Sequence, residues 1–380
     1  MPRNIRVATI QLNGTPAPTE ARLERAAQLV AQAAQAGAQL VVLPELFNTG
    51  YTYFETNYEV TERLKDQTIQ WLCEQAQHHQ IYLAGSLMVV DLDDTYNAAF
   101  LIAPDGKKWR YDKQYPYLWE RVYFRNGHMI CVADTALGKI GMLLGWDAAH
   151  PDLWDRYAAK VDLLLIMNSQ PNLEDATLHL PTGTHIPSRD LNPLVEAIGR
   201  ESSHYHLAKD LEAQVIWSGI PVAVASTSGT MRSLLPAPFL STAVITMNSS
   251  LLDMNTQPYA EIELLAPFLG HTRIISGKGE TLAAVDVKGD AFAIADMPLS
   301  DMMPIPDGKQ PEFSIPKHVY GAIDVLGAGL LLLNYRRGVR RYWGAKFAPV
   351  DGDTKMWFGI LIFASIAASV ITNLLSRRKK

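Results

Sequence analysis

The sequence predicts an α/β protein with one large body over residues 1–300. Short apolar runs with strand character alternate with longer segments in which apolar residues recur at helical spacing. The order is β-α-β-α-β-β, then hairpins, then β-α-β, which is typical of a mixed sheet covered by helices. With 380 residues, 48% of them apolar, the chain is long enough to bury such a core.

Each predicted element rests on apolar spacing and on residues that begin or end helices and strands. The first helix begins near the capping residue Thr19 and ends at Gly37, and the second strand ends at Pro44. In chain order, the first half contains a strand at 5–12, a helix at 18–37, a strand at 38–45, a helix at 61–79, and strands at 81–90, 95–104 and 108–114.

The second half continues the alternation and adds two hairpins, which turn at Leu137-Gly138 and at Gly277-Lys278-Gly279. In chain order, it contains a hairpin at 129–144, a short helix at 153–160, a strand at 161–170, a long helix at 194–219, a strand at 221–227 and a hairpin at 273–287.

Residues 230–269 form a largely apolar insertion that is too long for an ordinary loop. Three alternatives stay open for this segment. It forms extra strands, a lid, or a contact surface for a partner or for lipid.

The C-terminal part of the chain predicts a membrane anchor. Residues 356–375 are twenty consecutive residues without a charge, and a helix of that length is about 30 Å long, enough to cross the hydrocarbon core. The basic tail 376–380 follows it. Because the N-terminus carries no export signal, we expect a single-pass protein with its body on the cytoplasmic side.

Residues 301–355 read as a linker that contains a basic membrane-surface segment. Residues 321–333 are apolar but too short to span a bilayer, and four arginines follow at 336, 337, 340 and 341. We expect a helix that lies against the membrane, with these arginines facing anionic headgroups. From residue 336 onwards the chain carries a net charge of +8, so the rest carries −13, and an acidic body argues against nucleic-acid binding.

Three charged residues follow predicted strands or lie close to a strand end. Glu45 follows the apolar run QLVVLP, where burial raises the pKa of a carboxyl group and makes it a usable general base. Lys113 follows another strand, where an ammonium group stabilises an oxyanion. Glu120 is either a second acid–base group or an orienting partner of Lys113. The alternatives are a carboxylate that caps the next loop and a solvated lysine.

A fourth position draws attention because it has no side chain. In the stretch IGMLLGWDAAHPDLW, an apolar strand stops at Gly145 and a proline-started helical segment follows. A buried strand that enters a tight turn before a helix is where many α/β enzymes place a nucleophile. Glycine cannot serve as one.

Four segments in this order resemble the nitrilase, or carbon–nitrogen hydrolase, superfamily over about residues 5–290. LVVLPELFNTGY resembles the family's glutamate motif, and YDKQYPYLWERVYF its lysine motif, with Glu120 at the position of a second glutamate. GKIGMLLGWDAAHPDLW resembles the turn that carries the nucleophilic cysteine, and HTRIISGKGETLA resembles a late hairpin of the fold.

This resemblance implies a four-layer αββα sandwich, pairing into dimers, and cofactor-free chemistry. In the family, a glutamate activates a cysteine that attacks a nitrile or amide carbon, while a lysine holds the developing negative charge. Here Glu45, Lys113 and Glu120 match, but Gly145 stands where the cysteine belongs. Neither Cys73, in a predicted helix, nor Cys131, in a neighbouring strand, is an obvious replacement.

The resemblance and the missing nucleophile leave three functions open. The first is a membrane-anchored pseudoenzyme that serves as a ligand-binding or assembly subunit. The second is an active amide or nitrile hydrolase in which a glutamate activates water. The third is a purely structural subunit of a membrane complex. All three need no cofactor and no metal, and we expect membrane lipid and either further copies of the chain or other subunits as partners.

Overall fold

Parallel strands occupy the centre of the structure. The computed structural model describes residues 3–191, 196–200, 209–245 and 261–344. The strands are Arg3–Asn13 (β1), Leu40–Val42 (β2), Tyr82–Asp91 (β3), Asp94–Ile102 (β4), Lys108–Asp112 (β5), Ala133–Thr135 (β6), Gly138–Leu144 (β7), Leu163–Asn168 (β8), Thr177–His179 (β9), His185–Pro187 (β10), Val222–Ser228 (β11), Thr230–Leu234 (β12), Glu263–Pro267 (β13), Arg273–Ile275 (β14), Thr281–Ala284 (β15) and Ala291–Leu299 (β16).

The helices lie between these strands and at the C-terminal end of the described chain. They are Thr19–Gln35 (α1), Gln67–His79 (α2), Pro151–Tyr157 (α3), Lys209–Ser218 (α4), Pro238–Ile245 (α5), Lys317–Tyr320 (α6) and Gly327–Trp343 (α7). A π-helical segment, Gly321–Leu326, joins α6 to α7, and we call residues 317–343 the C-terminal helix. Residues 196–200 are helical as well.

The strands divide into two halves that join where β1 meets β11. Strands β3, β2, β1, β11, β8 and β7 run parallel in that spatial order. Antiparallel strands extend the ends, with β4 and β5 beyond β3 and β6 beyond β7. Strand β16 pairs with β1, and β14 pairs with β11 and β15. The parallel arrangement brings the carboxyl ends of six strands to one edge.

Alternate side chains of β1 point to two different cores, because successive residues of a strand face opposite sides. Val7 shares a buried cluster with Ile166 of the other half, so this cluster joins the two halves. Ala8 belongs to a second cluster with Leu29 of α1. Helix α3 packs on the other half through Trp154. The layers therefore follow a helix–sheet–sheet–helix order, as the family resemblance implies.

The apolar insertion forms extra strands in the part that the structure describes. Strands β12 and β13 pair with each other, and β13 continues through β9 to β10 in a separate four-stranded sheet. Helix α5 lies between β12 and β13 in the chain. Residues 246–260 lie outside the described residues. Of the three alternatives for residues 230–269, the described segments match the one that predicts extra strands.

The C-terminal helix packs on the body along a stripe of buried residues at a spacing of four or eight. These residues are Val319, Ile323, Leu331, Tyr335 and Val339. The hydroxyl of Tyr335 donates to Oδ1 of Asp94 at 2.6 Å and accepts from the amide of Thr95 at 3.1 Å. The segment that the sequence assigned to a membrane surface therefore has one side against the protein. Its opposite side exposes Val325, Leu333, Arg337, Arg340 and Arg341.

The predicted membrane span follows this helix in the sequence. Within the described ranges, no helix combines the length and the apolar character needed to cross a bilayer. The predicted span at 356–375 and the basic tail at 376–380 both lie outside the described residues.

Two further differences concern single elements. Strand β16 was not predicted, although it pairs with β1 from Arg3 to Gln11. Its sequence, AFAIADMPL, contains Asp296 and Pro298, which interrupt the apolar pattern that would predict a strand. These residues are tolerated because the strand is only partly buried. The long helix predicted at 194–219 is helical at 196–200 and in α4, and residues 201–208 lie outside the described residues.

Substitution in the core between the two halves should destabilise the whole body. Leu164 of β8 is fully buried, whereas Leu92, in the turn between β3 and β4, is 94% exposed. We expect Leu164→Ala to lower the free energy of unfolding by about 2–5 kcal/mol, because it leaves a cavity. Leu92→Ala should change it by less than about 0.5 kcal/mol. Equilibrium urea unfolding of both variants tests this, and equal losses would contradict the assigned core.

Candidate active site

The carboxyl ends of the parallel strands bring four loop segments together at one edge of the sheets. Glu45 lies three residues after β2, and Ser169 directly follows β8. Lys113 directly follows β5, whose direction is that of β3 because two antiparallel pairings separate them. Gly145 directly follows β7 and begins a 3₁₀ turn, Gly145–Ala149, which we call the elbow.

The ammonium group of Lys113 bridges two buried carboxylates. Its Nζ atom lies 2.7 Å from Oε1 of Glu45 and 2.9 and 2.7 Å from the two carboxylate oxygens of Glu120. All three residues are 1% exposed. We call them the charged cluster. The cluster is a buried ion network in which one positive charge faces two acidic groups, so the protonation state of either carboxyl affects the other.

Backbone and amide donors fix the orientation of Glu45. Asn97 of β4 donates through Nδ2 to Oε1 at 2.8 Å, and the amide of Ser169 donates to Oε2 at 3.0 Å. The hydroxyl of Ser169 also donates to the backbone carbonyl of Glu45 at 2.7 Å. The hydroxyl of Ser86 donates to Oδ1 of Asn97 and accepts from the amide of Leu46. Both carboxylate oxygens of Glu45 are thereby held in place.

Glu120 is held within a second 3₁₀ turn, Leu118–Val122. The amide of Tyr117 donates to its carboxylate. The phenols of Tyr51 and Tyr53 are buried near this group and contact each other, with 3.1 Å between their oxygens. Burial first, and then the charge of Glu120, raises the pKa of both tyrosines well above the usual range. They are therefore neutral hydroxyl groups beside the charged cluster.

Burial and the neighbouring charges shift the pKa values of both Glu45 and Lys113. Burial raises the pKa of Glu45 to about 7, and the negative charge of Glu120 adds to this, while Lys113 opposes it. Burial alone would lower the pKa of Lys113, but the carboxylates of Glu120 and Glu45 outweigh burial and raise it. Near neutral pH, Lys113 keeps its proton and Glu45 is close to its midpoint. A carboxyl group with that pKa can accept or give a proton.

Asp147 fixes the elbow through hydrogen bonds to neighbouring segments. Its Oδ1 atom accepts from the amides of Gln114 and Tyr115 at 3.1 and 2.8 Å, and its Oδ2 atom accepts from the hydroxyl of Tyr111 at 2.7 Å. The residue is fully buried, and burial raises its pKa to about 6. Because Gln114 and Tyr115 directly follow Lys113, Asp147 ties the elbow to the loop that carries the lysine.

The backbone at the elbow is left-handed and closely surrounded. Gly145 has φ +47°, and a Cβ atom added to it would lie 2.9 Å from Oε2 of Glu45 and 3.1 Å from Nζ of Lys113. Leu46 and Leu118, which flank the other parts of the site, also have positive φ, at 48° and 43°. Such backbone is unfavourable for side chains other than glycine and is concentrated at functional sites.

The two cysteines lie elsewhere in the fold. Cys73 is in α2, whose apolar side packs on the first half. Cys131 precedes β6, and its backbone amide donates a hydrogen bond to the hydroxyl oxygen of Tyr157 on α3 at 3.2 Å. Burial raises the pKa of the Cys131 thiol to about 11, so the reactive thiolate is scarce at neutral pH.

With the fold and the geometry established, the comparisons identify the family. The family profile described as carbon–nitrogen hydrolase matches residues 6–307. The chain belongs to the carbon–nitrogen hydrolase family. It is 31% identical to a nitrilase from Pyrococcus abyssi over 153 residues and 31% identical to an omega-amidase from Mus musculus over 187 residues. These matches cover 39% and 46% of this chain and 58% and 66% of the relatives, less than two thirds of their length.

Amidases are among the solved structures of similar fold. An amidase from Nesterenkonia sp. superposes with a TM-score of 0.55 at 19% identity, covering 77% of this chain and 90% of that chain. A cysteine-to-alanine mutant of the amidase from Nesterenkonia sp. AN1, in complex with butyramide, gives a TM-score of 0.54 at 18% identity, covering 77% and 91%. At this level of identity, the likeness establishes the fold alone.

In this member of the carbon–nitrogen hydrolase family, Lys113 contacts both Glu45 and Glu120, with Gly145 beside them. Sequence reasoning missed Asn97, Ser169 and Asp147. Asn97 is a polar residue inside the apolar strand TYNAAF, and Ser169 ends the strand LLLIMNS, so both interrupt apolar runs. Those interruptions were the available signals, because a buried polar side chain needs a partner.

The raised pKa of Glu45 predicts a pH dependence of stability. The folded carboxyl, with a pKa of about 7, binds a proton more tightly than the unfolded one, near 4.5. The free energy of unfolding should therefore fall as pH rises from about 4.5 to about 7. The slope of this free energy against pH is proportional to the number of protons released on unfolding, and Glu45→Gln should lower that number by up to one. The exposed control Glu312→Gln should keep it. Urea unfolding between pH 4.5 and 7.5 measures the slopes, and an unchanged slope in Glu45→Gln would contradict the assignment.

Proposed function

We propose that this carbon–nitrogen hydrolase family member binds a ligand at the charged cluster without hydrolysing it, as a membrane-held binding subunit. The observation that carries the proposal is the glycine at position 145, where the family resemblance predicts a nucleophilic cysteine. Without that side chain, no acyl–enzyme bond can form at the elbow. Loss of the nucleophile from a group of residues that act together removes most of their rate enhancement.

The packing around Gly145 supports this proposal. The carboxylate of Glu45 lies where it would crowd any Cβ atom at position 145, at 2.9 Å. It cannot withdraw freely, because Asn97, Lys113 and Ser169 all donate to it. The charged cluster is therefore arranged around the glycine, and a nucleophilic side chain does not fit without displacing it.

The chemistry of the cluster favours a short carboxamide as the ligand. An amide carbonyl accepts from an ammonium group such as that of Lys113, and an amide nitrogen donates to a carboxylate such as that of Glu45. Relatives named omega-amidase and nitrilase, and the amidase structure that holds butyramide, are consistent with this ligand class. The neutral phenols of Tyr51 and Tyr53 add an uncharged side to the site.

A second candidate function is hydrolysis by water that Glu45 activates. One observation favours it: the pKa of Glu45, about 7, is suited to a general base at neutral pH. In this mechanism, the amide carbon is attacked by water instead of a thiolate, and no covalent intermediate forms. Turnover by the wild type that disappears in Glu45→Gln would support this candidate against the first.

Restoring a thiol at the elbow separates the candidate functions. We expect the wild type to release no ammonia from butyramide. Gly145→Cys should release it slowly, since the new side chain is crowded. Adding Glu45→Gln to Gly145→Cys should lower that rate at least about 10³-fold, because the base is lost. Ammonia release and alkylation of the introduced thiol by acrylamide are the measurements.

Two results would contradict the binding proposal. Wild-type turnover that depends on Glu45 would establish the water mechanism. A folded Gly145→Cys protein whose introduced thiol neither turns over butyramide nor reacts with acrylamide would mean that ligands do not reach the site. That result would favour a purely structural subunit. Circular dichroism of each variant checks that it is folded.

The proposed attachment to the membrane rests on the sequence beyond the described residues. The charge-free segment 356–375 is long enough to cross a bilayer, and four basic residues follow from 377 to 380. The exposed arginines 337, 340 and 341 on the C-terminal helix suit anionic headgroups. We propose a single-pass anchor that holds the body at the cytoplasmic surface, together with further copies of the chain or other subunits.

Charges placed in the proposed span should release the protein from the membrane. Ile362 and Ile366 are four residues apart in the sequence, so they would share one side of the proposed spanning helix. In the double variant Ile362→Asp/Ile366→Asp, insertion into the membrane should be less favourable by on the order of 6 kcal/mol. We therefore expect alkaline carbonate to extract this variant from the membrane fraction. The control Ile362→Leu/Ile366→Leu should stay in the membrane fraction. A wild type that carbonate extracts would refute the anchor.

A further inference from the structure

One carboxylate attaches the C-terminal helix to both sides of the site. Oδ1 of Asp324 accepts from Nη2 of Arg121 at 3.0 Å and from Nε1 of Trp146 at 3.1 Å. Its Oδ2 atom lies 3.0 Å from Nε2 of His150. Arg121 directly follows the second carboxylate of the charged cluster, and Trp146 directly follows the elbow glycine. Asp324 therefore connects the two segments that carry the site.

Each ring nitrogen of His150 lies within hydrogen-bond distance of an oxygen atom. Its Nδ1 atom lies 2.9 Å from the backbone carbonyl oxygen of Trp146, and a carbonyl only accepts, so Nδ1 carries a hydrogen. Its Nε2 atom faces the carboxylate of Asp324, which also pairs with the guanidinium of Arg121. Both ring nitrogens thus face acceptors. Only the doubly protonated imidazolium satisfies both contacts.

Aromatic rings and charged groups surround His150. Its other faces pack against tyrosines: Tyr115 stacks on it at 3.6 Å with 4° between the planes, and Tyr320 of the C-terminal helix lies edge-on at 5.2 Å. Stacking of a cation on an aromatic ring is attractive. The charged groups around it are the carboxylates of Asp324 and Asp147, the carboxylate of Asp152 bonded to Tyr115, and the guanidinium of Arg121.

The helix geometry at this contact is itself unusual. Asp324 lies in the π-helical segment Gly321–Leu326, between two α-helical parts. Wide turns of this kind often occur at functional places in helices. His150 is 5% exposed and Arg121 is 4% exposed, so water does not compensate for the loss of these contacts.

We propose that the C-terminal helix is a clamp on the elbow whose hold depends on a proton at His150. While His150 is protonated, Asp324 joins the elbow, the turn Leu118–Val122 and the helix. When His150 loses that proton, Nε2 becomes an acceptor that faces the carboxylate, and the clamp loosens. Asp324 is a positioning residue in this account, and the inference holds whether or not the site turns over a substrate.

Hydrogen–deuterium exchange of the full-length protein tests the clamp. After correction for the intrinsic pH dependence of exchange, we expect the protection of amides in 317–343 to fall about tenfold from pH 6 to pH 8.5. A loss of that size is expected when one charge-assisted hydrogen bond is removed. Peptides from α1 should show no such change. Equal protection of the C-terminal helix at both pH values would overturn the proposal.

Matched variants assign the effect to His150. His150→Gln and Asp324→Asn should both show low protection already at pH 6 and little further change at pH 8.5. His318→Gln, an exposed histidine on the same helix, should behave like the wild type. A variant at His150 or Asp324 that retains the tenfold change would overturn the proposal. If a variant fails to fold, equal protection of the wild-type helix at the two pH values still overturns the proposal.

Discussion

The site is built around a single buried ammonium group. Lys113 contacts Glu45 and Glu120 where the two carboxylates have almost no access to water. Buried ions of this kind are stable only when they are paired, and removal of one partner leaves an uncompensated charge. Because Lys113 follows β5, Glu45 follows β2 and the elbow follows β7, the pairing requires these strand ends to meet at fixed distances. The layered fold supplies that arrangement.

The C-terminal helix is part of the same construction. Its buried stripe packs on the body, and Asp324 contacts residues adjacent in sequence to Glu120 and to Gly145. A change at this helix therefore acts on the backbone of the site without touching the charged cluster directly. In the proposed membrane-held protein, the same helix connects the body to the segment that enters the bilayer.

Charged residues at strand ends made much of the site predictable from the sequence. Glu45 and Gly145 follow apolar runs, Lys113 follows the strand Lys108–Asp112, and the sheet brings such strand ends together. Asn97 and Ser169 were harder to identify, because a single uncharged polar residue has no fixed partner until the fold is known. The packing of the C-terminal helix was also hidden. An apolar stripe that faces a protein has the same spacing as one that faces lipid, so the sequence could not distinguish them.

The central claim is that the charged cluster is arranged around a glycine and does not hydrolyse amides. The most direct measurement is incubation of the wild-type protein with butyramide in ¹⁸O-labelled water, followed by mass analysis of any butyrate formed. Incorporation of label detects turnover through either a covalent or a water mechanism. The account predicts no labelled butyrate above the level found with Glu45→Gln. Labelled butyrate that forms with the wild type and not with Glu45→Gln would contradict it.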